Sequence, residues 1–333
     1  MTLLLRSRRR ARALLAAAGL RLGRPAGRPR LAQIEITARC DLFCRTCTRG
    51  KLPAPGDMSL ADFTRVLDQL GPVDALWLSG QGEPLLHPDL PRMVRACAER
   101  GITGTIVHTN GMQLRGARRE ELATAGLGEL KLSVDGGTAE DVEYLRDGSD
   151  LERILENAAA FARISPTPVV LYTVLNRRNA GAIARLPELA ARAGARRIEV
   201  SETVPFRDGS TQREVFDRRE YQFASLPADE RRRCLRALRA AARERGLPLR
   251  LDLRWERTRC REPMQKLYVD FRGNVTPCCR IHHEVLAGNI FDSSLDAVWF
   301  GPTLRRWRRA LRRREEHPRI CVERCHLGLR PHR

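Results

Sequence analysis

Between residues 31 and 205, short apolar runs alternate with stretches whose apolar residues recur at helical spacing. Leu31–Thr37 reads as a strand running into Cys40. Ser59 is placed as the N-cap of a helix over Leu60–Leu70, whose Phe63, Val66, Leu67 and Leu70 share one face. The same pattern predicts strands at Ala75–Leu78, Ile102–Val107, Glu129–Val134, Pro168–Leu175 and Arg197–Val200. Helices are predicted at Leu90–Arg100, Arg118–Ala125, Leu151–Arg163 and Gly181–Ala193. About six strand–helix units with apolar strands imply a parallel sheet covered by helices. The fold class is α/β, and six units suit a partial (β/α)6 TIM-type barrel better than a closed one of eight. Gly and polar residues gather where the strands end, at Gly80–Glu83, Thr109–Gly111, Ser133–Gly136, Asn176 and Ser201–Glu202. In βα folds that end is the ligand face.

After residue 225 the pattern changes. An Arg-rich helix over about Asp229–Arg245 stops at Gly246-Leu247-Pro248, and Lys266–Phe271 with Asn274–Pro277 reads as a hairpin around Arg272-Gly273. Ser294–Arg314 reads as one more helix. The expected organisation is a basic extension (1–30), a barrel (31–225), a linker helix (226–250) and a small C-terminal α+β domain (251–333). With 333 residues, 42% of them apolar, the chain can bury a core in two domains. No apolar run approaches the roughly 20 residues of a membrane span.

The charge is uneven. Residues 1–30 hold nine Arg and no acid, and residues 301–333 hold eleven Arg against three Glu, so the two ends carry 17 of the net +20. A nucleic-acid-binding fold would show its basic stripe on the core, so no nucleic-acid partner is expected. Only three lysines occur, Lys51, Lys131 and Lys266. Ser7–Arg10 followed by Ala13–Leu20 loosely imitates an export signal, but the apolar stretch is short and Arg follows where a cleavage site should lie. The segment reads as a basic amphipathic helix that packs on the protein or makes a peripheral contact with an anionic membrane. A cytoplasmic location is expected.

Ten cysteines stand at 40, 44, 47, 97, 234, 260, 278, 279, 321 and 325. In a chain without an export signal, clustered cysteines point to metal ligation rather than disulfides. Cys40, Cys44 and Cys47 form a C-x3-C-x2-C triplet after the first strand. Four thiolates are usual for a fully ligated [4Fe–4S] cluster, and three leave one iron open. A zinc site completed by a distant ligand is the other metal reading.

The triplet resembles the defining motif of the radical S-adenosylmethionine (SAM) enzymes. Gly80-Gln81-Gly82-Glu83 is similar to that family's GGE stretch, and Thr109-Asn110-Gly111, Ser133-Val134-Asp135-Gly136 and Asn176 match its patterns at the following strand ends. The resemblance covers residues 31–205. It implies that Gly80, Gly82, Glu83, Asn110, Ser133, Asp135 and Asn176 bind SAM, with Glu83 receiving the amino group. It also implies reductive cleavage of SAM and removal of a hydrogen atom from a substrate carbon by a deoxyadenosyl radical. Two positions depart from the pattern: Thr46 stands where an aromatic often precedes the third Cys, and Gln81 replaces the second Gly.

Cys260, Gly273, Cys278, Cys321 and Cys325 resemble the short "twitch" form of the SPASM extension. This implies one auxiliary [4Fe–4S] cluster held by Cys260, Cys278, Cys321 and Cys325; a zinc site of four thiolates is the alternative. Because neighbouring strand residues face opposite ways, Cys278 and Cys279 compete for one ligand position, and the spacing from Gly273 favours Cys278. Cys279 is then a simple neighbour, an exchangeable ligand or a hydrogen donor. Catalytic candidates are Cys279, Glu202 and Arg254, and Arg207 could also face a polar substrate. His282-His283 reads as structural. Arg305–Arg314, with Trp307, reads as the solvated face of a helix, and Cys97 and Cys234 as packed or surface thiols. The single auxiliary cluster resembles the sugar and aminocyclitol alcohol dehydrogenases of antibiotic biosynthesis. The expected reaction is therefore oxidation or epimerisation of a secondary alcohol on a small polar substrate, with flavodoxin or ferredoxin as electron donor. A maturase of ribosomally made peptides is the rival reading, lowered by the 30 residues before the first strand, too few for a leader-recognition domain. A zinc-stabilised, Arg-rich RNA- or membrane-binding module is the rival outside enzymes.

Overall fold

A computed structural model describes residues 27–47, 55–202, 222–253, 260–279 and 285–312, with a few isolated positions before residue 27. One sheet of ten strands runs through it. Six form the expected parallel series: β1 (Leu31–Ile34), β2 (Ala75–Leu78), β3 (Thr105–Thr109), β4 (Glu129–Ser133), β5 (Val169–Leu175) and β6 (Arg197–Glu202). Two later strands extend it at both edges. β7 (Leu249–Asp252) adds parallel to β6, and β8 (Lys266–Val269) adds parallel to β1. β9 (Asn274–Thr276) and β10 (Gly288–Asn289) then continue antiparallel beyond β8. The hairpin at Arg272-Gly273 is present, and Gly273 has φ +81° with Phe291 crowding the place a Cβ would take. The sheet thus crosses residue 250, where the sequence suggested a boundary, because Leu249 and Leu251 give β7 an apolar pattern too short to read unaided.

The connecting helices are α1 (Leu60–Leu70), α2 (Leu90–Glu99), α3 (Gly116–Ala123), α4 (Ala139–Leu145), α5 (Leu151–Ile164) and α6 (Leu186–Arg192). Ser59 caps α1 by accepting the Asp62 N–H at 3.0 Å. The two turns of α4, capped by Thr138, escaped the sequence reading because seven residues carry too little periodicity. Ala180–Arg185 is 3-10 helix leading into α6 rather than α-helix. α7 (Ala228–Glu244) follows, then α8 (Glu262–Gln265), α9 (Leu295–Trp299) and α10 (Pro302–Arg312). The single helix expected over Ser294–Arg314 breaks at Phe300-Gly301, where a Cβ on Gly301 would lie 2.5 Å from the Ala297 carbonyl oxygen and Pro302 starts the next helix.

Strand alternation divides the interior. Ala32, Ile34, Leu76, Leu78, Val107, Leu130, Leu132, Leu171, Ile198 and Val200 are buried in the main apolar core. The residues between them, Gln33, Trp77, His108, Lys131, Tyr172 and Glu199, line a cavity inside the curved sheet. A second, small core joins Met264, Trp307 and Leu311, with Cys260 and Cys278 packed against it. The Arg305–Arg314 run is therefore not uniformly a solvated face. Trp307 points into this core, and Arg308 is buried, its Nε donating to the Pro263 carbonyl at 2.7 Å and its guanidinium lying 4.1 Å from the Trp299 ring centroid. Cys97 is buried and Cys234 packs on the main core, as expected.

Candidate active site at the barrel mouth

The loop after β1 carries Cys40, Cys44 and Cys47, and all three line the mouth of the barrel cavity, whose volume is about 560 Å³. The loop is tied to its surroundings through its backbone and its charged residues. Phe43 N–H donates to the Asp147 carbonyl and Arg45 N–H to the Leu145 carbonyl, each at 2.9 Å. Asp41 accepts from Asn110 Nδ2 at 2.8 Å and from Gln113 Nε2 at 2.9 Å, which fixes the loop to the end of β3. Cys47 N–H reaches the Cys44 carbonyl at 3.1 Å, a turn that brings their side chains to one side.

Gly80 and Gly82 line the same mouth, and packing explains why these positions need glycine. A Cβ on Gly80 would fall 2.2 Å from the Glu35 carboxylate, and one on Gly82 would fall 2.2 Å from the Thr37 carbonyl oxygen. The buried Glu35, missed in the sequence, accepts from Gln81 N–H at 3.0 Å and Tyr268 O–H at 2.7 Å, tying β1, β2 and β8 together. Glu83 is buried and accepts from Thr109 Oγ1 and Asn110 N–H, both at 2.7 Å, and from Leu85 N–H at 3.0 Å. Burial pushes its carboxyl up to about 7 despite these three donors.

Ser133 and Asp135 line the cavity beneath the cysteine loop. Asp135 is fully engaged: Oδ2 accepts from Arg146 Nε at 2.9 Å and Oδ1 from Val174 N–H at 2.7 Å. Arg146, which the sequence reading missed, lies with its Nη1 3.9 Å from Cys44 Sγ. Burial works against the guanidinium charge, but Asp135 and the thiols of Cys44 and Cys40 outweigh it and hold the group more firmly protonated than usual. Cys44 itself is pushed up to about 11 by burial, so ligation requires a metal to displace its proton. Asn176 does not line the cavity. It sits buried in a reciprocal pair with Asn179, its N–H donating to Asn179 Oδ1 at 2.9 Å.

Among the other candidates, Glu202 lines the cavity and accepts Ala224 N–H at 3.1 Å. Arg207, Arg254, His282, His283, Cys321 and Cys325 lie outside the described residues. The neighbouring thiols at the end of β9 diverge: Cys278 joins Cys260 against the small core, whereas Cys279 lines the barrel cavity. As they stand, no three Cys, His, Asp or Glu side chains among the described residues converge closely enough to grip a single metal ion. The donor set nevertheless fits an iron–sulfur cluster, which spreads its ligands wider than one ion does: three thiols front one cavity, with a buried cation at 3.9 Å to offset an anionic cluster.

Residues 34–190 match the Radical SAM superfamily, and residues 260–326 match the SPASM iron–sulfur cluster-binding domain. The chain is a radical SAM protein of the SPASM/twitch branch. The two domains imply [4Fe–4S] clusters and SAM as its cofactors. This radical SAM protein is 35% identical over 179 residues to a PqqA peptide cyclase of Rhizobium meliloti, an alignment covering 52% of the chain and 46% of that relative, about half its length. It is 28% identical to an AdoMet-dependent heme synthase of Methanosarcina barkeri, over 81% of the chain and 82% of the relative. SuiB of Streptococcus suis, solved with S-adenosylmethionine and also with its precursor peptide SuiA, shares the fold at TM-score 0.73. It is 19% identical and aligns with 94% of this chain and 75% of the SAM-bound chain.

Proposed function

We propose that this protein is a peptide-modifying radical SAM enzyme, acting on a carbon of a ribosomally made peptide. The observation that carries this reading is the 35% identity, over 179 residues, to a peptide cyclase. The convergence of Cys40, Cys44, Cys47, Glu83 and Cys279 on one cavity agrees with it. When bound, the cluster and SAM supply one-electron cleavage and hydrogen-atom removal. The chain's own groups do the rest. Cys40, Cys44 and Cys47 hold the cluster, with Arg146 offsetting its charge. Glu83 takes the SAM amino group on a carboxylate oriented by Thr109 and Asn110. Gly80, Gly82 and Ser133 shape the wall of the SAM site, while Asn110 and Asp135 act through the groups they hold, Asp41 and Arg146. Cys260, Cys278, Cys321 and Cys325 hold one auxiliary cluster in a twitch-like segment, 251–333. The work is done in the cytoplasm with a flavodoxin or ferredoxin as donor. No helix among the described residues is long and apolar enough to cross a membrane.

A second reading retains the alcohol chemistry. Cys279 faces the cavity and so is placed to return a hydrogen atom to a substrate carbon, the step an epimerase requires. The test starts with anaerobic reconstitution. Roughly eight iron per chain with matching sulfide is expected for two four-iron clusters, and zinc without sulfide would refute both enzyme readings. Dithionite-reduced protein with SAM is then offered candidate peptides and polyols. A peptide product lighter by a hydrogen pair, formed with one deoxyadenosine each, supports peptide cyclisation. Conversion of the polyol alone, with deuterium entering from heavy water, replaces it with the epimerase reading.

A further inference from the structure

Below the cysteine loop, the cavity floor is built from the inward residues of successive strands, and its charges are unevenly matched. The Lys131 ammonium is satisfied, 2.5 Å from Glu199 and 3.6 Å from Glu129. Arg250 leans toward the same Glu199 at 3.4 Å. Lys266 is different. No carboxylate of a described residue lies within 4 Å of its ammonium, and no described residue hydrogen-bonds it; it lies over the Trp77 ring, 4.6 Å from the centroid. Glu199 and Asp252 line the same cavity but do not pair with it. Beside it stands His108, edge-on to Tyr172 at 5.2 Å between ring centroids, its buried Nε2 without a hydrogen-bond partner. Burial, with Lys131 and Lys266 nearby, drives the His108 imidazole down to about 3, so at working pH the ring is neutral and carries one N–H.

A half-buried ammonium set over a π-face, with no carboxylate of a described residue within 4 Å and next to an unsatisfied imidazole nitrogen, is a costly arrangement for an empty protein. It becomes favourable when an anion arrives. We propose that this floor is an anion subsite, in which Lys266 and His108 receive a carboxylate of the substrate against the walls of Trp77 and Tyr172. One unmatched positive charge suits a single carboxylate group at this spot, and Glu199 close by disfavours a group that itself carries two charges, such as a phosphate. The subsite rests on the enzymatic reading of this cavity and adds a requirement to it: the group held at depth is an acid, and the reacting carbon lies between it and the cysteine loop.

The experiment titrates reconstituted holoenzyme with glutarate, followed by calorimetry and tryptophan fluorescence. Saturable glutarate binding is expected, with the uncharged diamide glutaramide failing to bind or compete. Lys266→Met, which keeps an unbranched chain over Trp77, should weaken glutarate ~10-fold or more, while Lys266→Arg retains part of the affinity. Unchanged iron content shows that each variant is folded. Equal binding of glutaramide, or equal glutarate affinity in Lys266→Met, overturns the subsite; the wild-type comparison of the two ligands needs no variant. A peptide arm separates this inference from the proposed reaction. Lys266-dependent glutarate binding with no peptide modified upholds the subsite and removes the peptide reading. Peptides modified with the same KM after their acids are changed to amides would uphold the reaction and remove the subsite.

Discussion

At Glu83, burial opposes charge. Its carboxyl is lifted from 4.5 to about 7, so near neutral pH the free site is about half protonated. In the proposed site the SAM amino group donates to this carboxylate. Below the lifted value a proton must leave for SAM to bind, so affinity should fall up to ~10-fold per unit as pH drops below 7, and this group's contribution stops growing above it. Glu83→Gln should bind SAM weakly with that dependence flattened; calorimetric titrations from pH 6 to 8.5 read both effects. Gly82 obeys a harder constraint. The obstacle to its Cβ is the Thr37 backbone, not a movable side chain. Gly82→Ala should therefore displace the strand end feeding Cys40, cost about 1–3 kcal/mol in denaturant unfolding and lower SAM affinity more than iron content. Such residues were legible in the sequence because glycine and acid stood at a strand end. Glu35 and Arg146 were not, because their roles come from meeting Gln81 and Cys44, 46 and 102 residues away along the chain.

Elements divide neighbouring side chains between two sites. At the end of β9, Cys278 joins Cys260 at the small core and Cys279 enters the barrel. Cys278→Ala should drop iron from roughly eight to roughly four per chain, while Cys279→Ala should stay near eight. Equal losses in both variants would show that the two thiols exchange. The alternation that makes this split also left a sequence signal in the barrel strands. Gln33, His108, Lys131 and Glu199 each interrupt an apolar run at its centre, which a strand with helices outside and a cavity inside would produce. Two of the chain's three lysines lie there, in a protein that otherwise uses arginine for its cations. At the other site α10 closes the small core through Trp307 and Leu311, and Arg308 supports it from within. Arg308→Met strips donors from the Pro263 and Trp299 carbonyls and should cost about 1–3 kcal/mol, read from the urea midpoint of the reconstituted protein.

At the scale of the whole molecule, the sheet couples the two sites. β8 lies against β1, which delivers Cys40, and leads through β9 to Cys278 and Cys279. The alternation of strands and helices disclosed the six-strand core. It could not disclose that strands beyond residue 248 would pair at opposite edges of that core, because pairing at such separations is set by three-dimensional closure and not by local pattern. One consequence concerns stability. In the proposed site SAM rests on the β2 and β4 ends together with a cluster on the β1 loop, so it should bind the assembled barrel and not the unfolded chain. At 100 times its dissociation constant it should add about 2.7 kcal/mol to the stability of the barrel. That amounts to a rise of several degrees in the melting of the reconstituted protein, at about 2–4 °C per kcal/mol for domains of this size. Cys47→Ala, which removes one of the three proposed cluster ligands, should lose the SAM-dependent rise while keeping a cooperative transition. A rise of the same size in that variant, or in protein without iron, would mean that SAM is held by the strand ends alone and that the cysteine loop is not its anchor.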